Sequence, residues 1–143
     1  MNALADLLAL DASLSPTPIF TIEPADRGRA SEIDRQATFL SLLRKTAPDV
    51  LAWAVPNGHN RGLKDRAKAK KEGLRAGVPD LTICWNRGVA FMEFKAGSGP
   101  LSDNQIELLN YLTAAGHHCA VVRTPEFAMQ LLHQWGAPVR LVR

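Results

Sequence analysis

The stretch "GVPDLTICWNRGVAFMEFKAG", Gly77 to Gly97, decides how the rest of the chain is read. Two apolar runs, Leu81–Trp85 and Val89–Lys95, flank "NRG", a glycine-containing connection of the kind that joins hairpin strands. Apart from Arg87 in the turn, charge falls at the ends, with Asp80 ahead of the first strand and Glu93 and Lys95 at the close of the second. Ionised groups among Leu81, Ile83, Trp85, Val89, Phe91 and Phe94 are costly unless something compensates them. Folding about the turn brings Asp80 and Glu93 to the open end of the hairpin. Glu93 and Lys95 are two residues apart, so they share a sheet face with Val89 and Phe91. A solvent-exposed edge carrying a Glu–Lys pair is the alternative.

Two carboxylates converging beside apolar residues repel each other and resist ionisation. A divalent cation removes that cost, and an all-oxygen donor set suits Mg²⁺ or Mn²⁺ rather than zinc. Such a metal polarises a phosphoryl oxygen and acidifies a bound water. A lysine alongside, here Lys95, orients that water and stabilises charge growing on the phosphate. The combination describes metal-assisted phosphodiester hydrolysis.

Outward from the hairpin, the chain alternates helices and strands. "SEIDRQATFLSLLRKTA" opens on Ser31 as an N-cap, with an apolar stripe through Ile33, Phe39, Leu40 and Leu43. "VLAWAV" (50–55) reads as a short buried strand, "PNGHNRG" (56–62) as a loop, and Leu63 to Glu72 as a helix ended by Gly73. "LSDNQIELLNYLTAAG" (101–116) has Ser102 at the N-cap, Gln105 at N3 and Gly116 past the end. "HCAVVR" (118–123) reads as a buried strand, and "TPEFAMQLLHQWG" (124–136) as a helix with Pro at N1. The order α-β-α-β-β-α-β-α predicts a sheet covered by helices. Residues 15–30, with three prolines and no periodicity, read as an extended linker or arm, and the compact domain is placed from Ser31 onward. Leucines in residues 1–14 fit a short amphipathic helix; the lack of a basic start and the presence of Asp6 and Asp11 exclude a signal peptide.

With 143 residues, one domain is expected, and no apolar run approaches the about 20 residues of a membrane span. Cys84 and Cys119 sit inside apolar runs and read as buried reduced thiols, which fits the cytosol; no Cys/His cluster suggests zinc. Trp53, Trp85 and Trp135 read as core, and His117, His118 and His133 as structural or surface residues. The net charge is +3, unevenly spread: "RGLKDRAKAKKEGLR" (61–75) holds seven Lys and Arg. Such a stripe binds polyanions or simply solvates a helix face.

The motifs together resemble a known family. "PD" (79–80) followed by "EFK" (93–95) looks like the PD-(D/E)XK nuclease superfamily. "PNG" (56–58), "KKEGLRAGVPDL" (70–81), "FMEFKAG" (91–97), "LSDNQ" (101–105) and "AAGHHCAVVR" (114–123) follow in the order of the virus-type replication-repair nuclease (VRR-NUC) family. The resemblance spans roughly residues 31–130. It implies an α/β, restriction-endonuclease-like fold with a central mixed sheet flanked by helices, and two parts: residues 1–30 as helix and proline-rich arm, 31–143 as nuclease domain.

By that resemblance the chain is a divalent-metal-dependent DNA endonuclease using Mg²⁺ or Mn²⁺. Asp80, Glu93 and the Phe94 carbonyl ligate the metal, and Lys95 is the catalytic lysine. The family also has a Glu on its first helix followed closely by Gln, which maps onto Glu32 and Gln36. Both continue the face of Phe39 and Leu43 toward the sheet. A first-turn Glu is also explained by the helix dipole, and Asp34 is the alternative. Gln105 completes a capping box with Ser102, and the family places this residue beside the site; the two roles are compatible. Asn57, with Arg61, lies in the PNG loop near the phosphate, and His59 there is a further general-base candidate. Lys64, Lys68, Lys71 and Arg75 recur along one helix stripe as contacts to the DNA backbone. Small standalone members resemble Holliday-junction resolvases acting as homodimers, and the lack of an appended DNA-reading module favours structure over sequence. A cytoplasmic protein of bacterial or phage origin, acting in DNA repair, fits the family habit. The rival reading is a catalytically inactive nucleic-acid-binding or assembly factor that keeps the fold.

Overall fold

The structure, a computed structural model, describes residues 16–56 and 62–140. Among the described residues, five strands and four helices follow in the order β1 (Thr21–Ile22), α1 (Glu32–Thr46), β2 (Leu51–Ala54), α2 (Leu63–Lys71), β3 (Leu81–Trp85), β4 (Gly88–Phe94), α3 (Asp103–Ala114), β5 (His118–Val122) and α4 (Pro125–Gln134). They form one mixed sheet in the order β1-β5-β4-β3-β2. β4 and β5 run parallel, as do β5 and β1, while β3 is antiparallel to both its neighbours.

Side-chain alternation along the central strands gives the sheet two apolar faces. Leu81, Ile83, Ala90, Met92, Phe94, Ala120 and Val122 point to one, where Phe39 and Leu43 of α1 and Ala128, Leu131 and Leu132 of α4 cover them. Cys119 and Val121, with Phe91, face the other, under Leu109 of α3 and Phe20 of the arm. The expected α/β sandwich is thus the observed one.

Helix ends follow their caps. Ser31 Oγ accepts the Asp34 N–H at 3.1 Å, and Thr124 Oγ1 accepts that of Phe127 at 3.3 Å. The core face of α1 runs Arg35, Phe39, Leu43; Ile33 lies off it and is 80 % exposed, contrary to the stripe expected from sequence. Six residues separate Ile33 from Phe39, which carries it well round the helix.

Three expectations are corrected by the sheet. β2 is an edge strand, so the apolar "LAWA" is not buried: Leu51 is 63 % and Trp53 46 % exposed. Trp53 is therefore not a core residue. The hairpin turn has two residues, Asn86 and Arg87, because Gly88 already pairs with Trp85. A Cβ on Gly88 would sit 2.1 Å from the Trp85 ring, so the indole lies where only glycine leaves room. Finally, the segment read as a linker supplies β1, pairing Thr21 with Ala120 and Ile22 with Val121, and packs Phe20 into the core. The amphipathic helix expected over residues 1–14 lies outside the described residues.

Candidate active site

The register of β3 against β4 sets the site. Leu81 pairs with Met92, so Asp80 and Glu93 meet one step beyond, at the open end of the hairpin. They are tied crosswise: the Asp80 N–H donates to Glu93 Oε2 at 3.1 Å, and the Phe94 N–H donates to Asp80 Oδ2 at 2.9 Å. The Val55 N–H donates to the Asp80 carbonyl at 2.9 Å, anchoring the same corner to the edge strand.

Glu93 points to the α3 side of the sheet and is only 3 % exposed. There Gln105 performs both jobs its sequence context offers. Its backbone N–H donates to Ser102 Oγ at 3.2 Å and its Oε1 accepts the Ser102 N–H at 2.9 Å, closing the capping box. Its Nε2 remains free of that box and donates to Glu93 Oε1 at 2.7 Å. Gly77 allows this approach. Its φ is +81°, and a Cβ there would lie 2.5 Å from the Asn104 backbone, so the first turn of α3 rests directly on the loop that leads to Asp80.

Lys95 follows two residues after Glu93 on the same face, with its Nζ 3.8 Å from Glu93 Oε1 and its side chain 13 % exposed. Burial pushes the Glu93 carboxyl up to about 8, and the neighbouring Asp80 charge adds to this; Lys95 opposes the shift without cancelling it, and Glu32 contributes further upward pressure. A buried carboxyl so reluctant to ionise beside a second carboxylate and a lysine is the mark of a site that handles charge.

Glu32 reaches this corner from elsewhere. It opens α1, which packs on the opposite face of the sheet, and comes round the end of β4. It remains exposed at the rim, its Oε1 3.7 Å from where a Cβ on Gly99 would stand, with Lys95 Cδ 3.9 Å from the same point. Among the described residues, no three His, Cys, Asp or Glu side chains gather closely enough to enclose a metal by themselves. Two carboxylates converge and Glu32 stands off. Of the remaining predicted residues, Lys64, Lys68 and Lys71 lie exposed on α2, Lys68 within 3.9 Å of Glu72. Arg75 is not part of that stripe, because α2 ends at Lys71 and Gly73 turns the chain with a φ of +86°; Arg75 lines a groove against Asn104, Glu107 and Tyr111 of α3 instead. Asn57, His59 and Arg61 lie outside the described residues.

A model of the VRR-NUC domain matches residues 54–125, half of the chain, spanning the hairpin, α3 and β5. The chain belongs to the VRR-NUC family. Its fold is accordingly the restriction-endonuclease-like one, and it carries a nuclease domain. No match was found among curated proteins or among solved structures. The VRR-NUC match includes Asp80, Glu93, Lys95 and Gln105, and begins after Glu32. Among the described residues no helix is long and apolar enough to cross a membrane.

Beyond these, three buried polar residues escaped the sequence reading, Glu23, Arg35 and Arg123, together with the half-buried Asp26 bound to Arg35. No spacing rule singles them out, since their partners are distant in sequence.

Proposed function

We propose that this VRR-NUC chain is a divalent-metal-dependent DNA endonuclease whose site is built on Asp80, Glu93 and Lys95. The observation that carries this reading is the crosswise pairing of Asp80 and Glu93 with the Lys95 amine 3.8 Å from Glu93. The donor set fits a hard divalent cation: both candidate ligands are carboxylates, and burial and the neighbouring Asp80 make Glu93 resist ionisation more than Lys95 alone offsets. Asp80, Glu93 and the Phe94 carbonyl would hold Mg²⁺ or Mn²⁺, with Glu32 completing the set from the rim. When bound, the ion supplies Lewis-acid polarisation of the phosphate and acidifies a water.

The chain's own groups do the rest. Gln105 holds Glu93 in one orientation through the 2.7 Å bond to Oε1. Lys95 presents its ammonium on the same face, where it orients the attacking water and stabilises charge developing on the phosphate. Exposed Lys64, Lys68 and Lys71 contact the DNA backbone, aided by Arg75 and by Asn57 and Arg61 of the PNG loop. Structure-selective cutting of four-way junctions by a homodimer is the finer reading: two equivalent strands call for a two-fold pair of sites.

The test is cleavage of labelled duplex and four-way junction with Mg²⁺ and then Mn²⁺, comparing wild type with Asp80→Asn and Lys95→Ala. Wild type should cut, and either substitution should lower the rate by about 10²-fold or more. DNA binding without cleavage in either metal would favour the inactive binding factor. A monomer at micromolar concentration that prefers plain duplex would overturn the junction reading alone.

A further inference from the structure

The arm meets two buried arginines: the Asp26 carboxylate pairs with the Arg35 guanidinium, and the Glu23 backbone carbonyl accepts from that of Arg123, which reaches the turn after Lys95. Arg35, 4 % exposed on α1, donates to Asp26 Oδ2 and Oδ1 at 2.6 and 3.1 Å and to the carbonyls of Arg123, Ala30 and Gly28 at 2.7, 2.8 and 2.9 Å. Arg123, just past β5 and 7 % exposed, donates from Nε to the Glu23 carbonyl at 3.1 Å, from Nη1 to that of Gly97 at 2.8 Å, and from Nη2 to that of Gly99 at 3.3 Å. Glu23 accepts from the Arg123 and Thr124 N–H groups and, at 2.6 Å, from the Thr124 hydroxyl. The Asp26 N–H joins Arg123 on the Gly97 carbonyl at 3.1 Å.

Gly97 and Gly99 belong to the turn that follows Lys95, and a Cβ on Gly99 would stand 3.7 Å from Glu32 Oε1 and 3.9 Å from Lys95 Cδ, so this turn lies against both side chains. Lys95 itself leaves β4 with its N–H on the Val122 carbonyl at 3.0 Å, one residue before Arg123. A buried arginine is stable only when its donors are engaged, and here those of Arg123 are engaged by backbone around the site.

We propose that Arg123 is a positioning residue of the nuclease: its guanidinium bridges the Gly97 and Gly99 carbonyls and thereby sets the spacing of Lys95 from Glu32. Arg35, Asp26 and Glu23 lock that bridge to the arm. The proposal rests on the nuclease reading above. It needs the planar fork of arginine, since the ammonium of lysine is a point charge that does not span two carbonyls in fixed geometry.

The experiment uses the full chain as wild type, Arg123→Lys, Gly99→Ala and, as control, Lys95→Ala. Cleavage kcat and KM, DNA affinity in EDTA, thermal melting and amide hydrogen exchange over residues 95–99 are measured together. Arg123→Lys should lower kcat by about 10- to 100-fold with KM and DNA affinity held within about twofold. It should also speed exchange in the 96–99 turn while β4 amides stay protected. Gly99→Ala removes no arginine hydrogen-bonding group but adds a methyl group beside Glu32 and Lys95 and 3.1 Å from the Ala96 carbonyl, so the turn must yield by a few tenths of an ångström; it should lower kcat more than any accompanying fall in melting temperature explains. A folded Arg123→Lys protein with wild-type kcat and exchange overturns the proposal while leaving the nuclease reading intact, provided Lys95→Ala is dead. If Arg123→Lys does not fold, wild-type kcat in Gly99→Ala overturns it instead. Wild-type protein that cuts no DNA overturns the nuclease reading and this proposal with it.

Discussion

Glu93 is a buried acid whose ionisation the fold opposes, and that has a consequence for stability. Its carboxyl titrates near 8 in the folded chain and near 4.5 in an ordinary one, so between those values the folded state holds a proton that the unfolded state has released. Unfolding then gains from rising pH, and the metal-free protein loses stability from about pH 4.5 to 8 through this group, with the loss complete above 8. In EDTA, Glu93→Gln should therefore melt progressively higher relative to wild type as pH rises from 5 to 8. A gap that does not widen with pH, followed by thermal melting, would contradict the buried-acid picture. Asp26 behaves in the opposite sense: hydrogen bonding to Arg35 holds its carboxyl below the usual range, so its contribution is lost only as pH falls through that lowered value. Much at this scale is legible in sequence. Asp80, Glu93 and Lys95 stand out as charges within apolar strands, and Gln105 announces both roles through its N3 position and its place on the face of Leu109. Arg35 and Arg123 give no such signal, because an arginine in a helix or at a strand end ordinarily stays in solvent.

Helix α3 is positioned as much by a glycine as by its own apolar face. Gly77 combines a φ of +81° with backbone contact to Asn104 that leaves no room for a side chain. Gly77→Ala should cost about 2 kcal/mol or more, from the left-handed backbone together with displacement of α3. The shift should carry Gln105 away from Glu93, so cleavage should fall further than stability alone explains; urea denaturation and kcat together measure the two effects. Capped helices α1, α3 and α4 are readable because their signals are local: a hydroxyl at the N-cap, an acid or proline in the first turn and, for α3 and α4, a glycine past the end. Strand burial is not local. "LAWA" has the composition of a central strand, yet whether a strand lies inside or at the edge depends on which neighbours flank it, and β2 has β3 on one side only. The two-residue strand β1 is still less visible, as a proline-rich segment shows neither alternation nor length.

The whole molecule closes through its arm, which makes residues 16–30 part of the folded unit that bears the site. Deleting residues 1–30 removes β1, Phe20, the Asp26 carboxylate that pairs with Arg35 and the Glu23 carbonyl that accepts from Arg123. Leaving such buried charges uncompensated should cost more than about 3 kcal/mol, and circular dichroism melting of the truncated chain checks it. A truncated chain as stable as the full one would show that the arm is dispensable. The family resemblance delimits the centre of the chain well, because hairpin, α3 and β5 carry its motifs, but the arm, all of α1 and most of β2 lie before the matched region. What is missing there is pairing at long range: Glu23 and Arg123 are 100 residues apart. That distance also sets an order in time. Contacts between distant residues form late, after loop closure has been overcome. On a ribosome, the Asp80–Glu93 hairpin emerges well before β5, which supplies the Val122 carbonyl for Lys95 and the arginine behind the turn. A nascent or prematurely terminated chain thus carries the acidic pair without its support, so competence to cut would arrive only once β5 and Arg123 have been made.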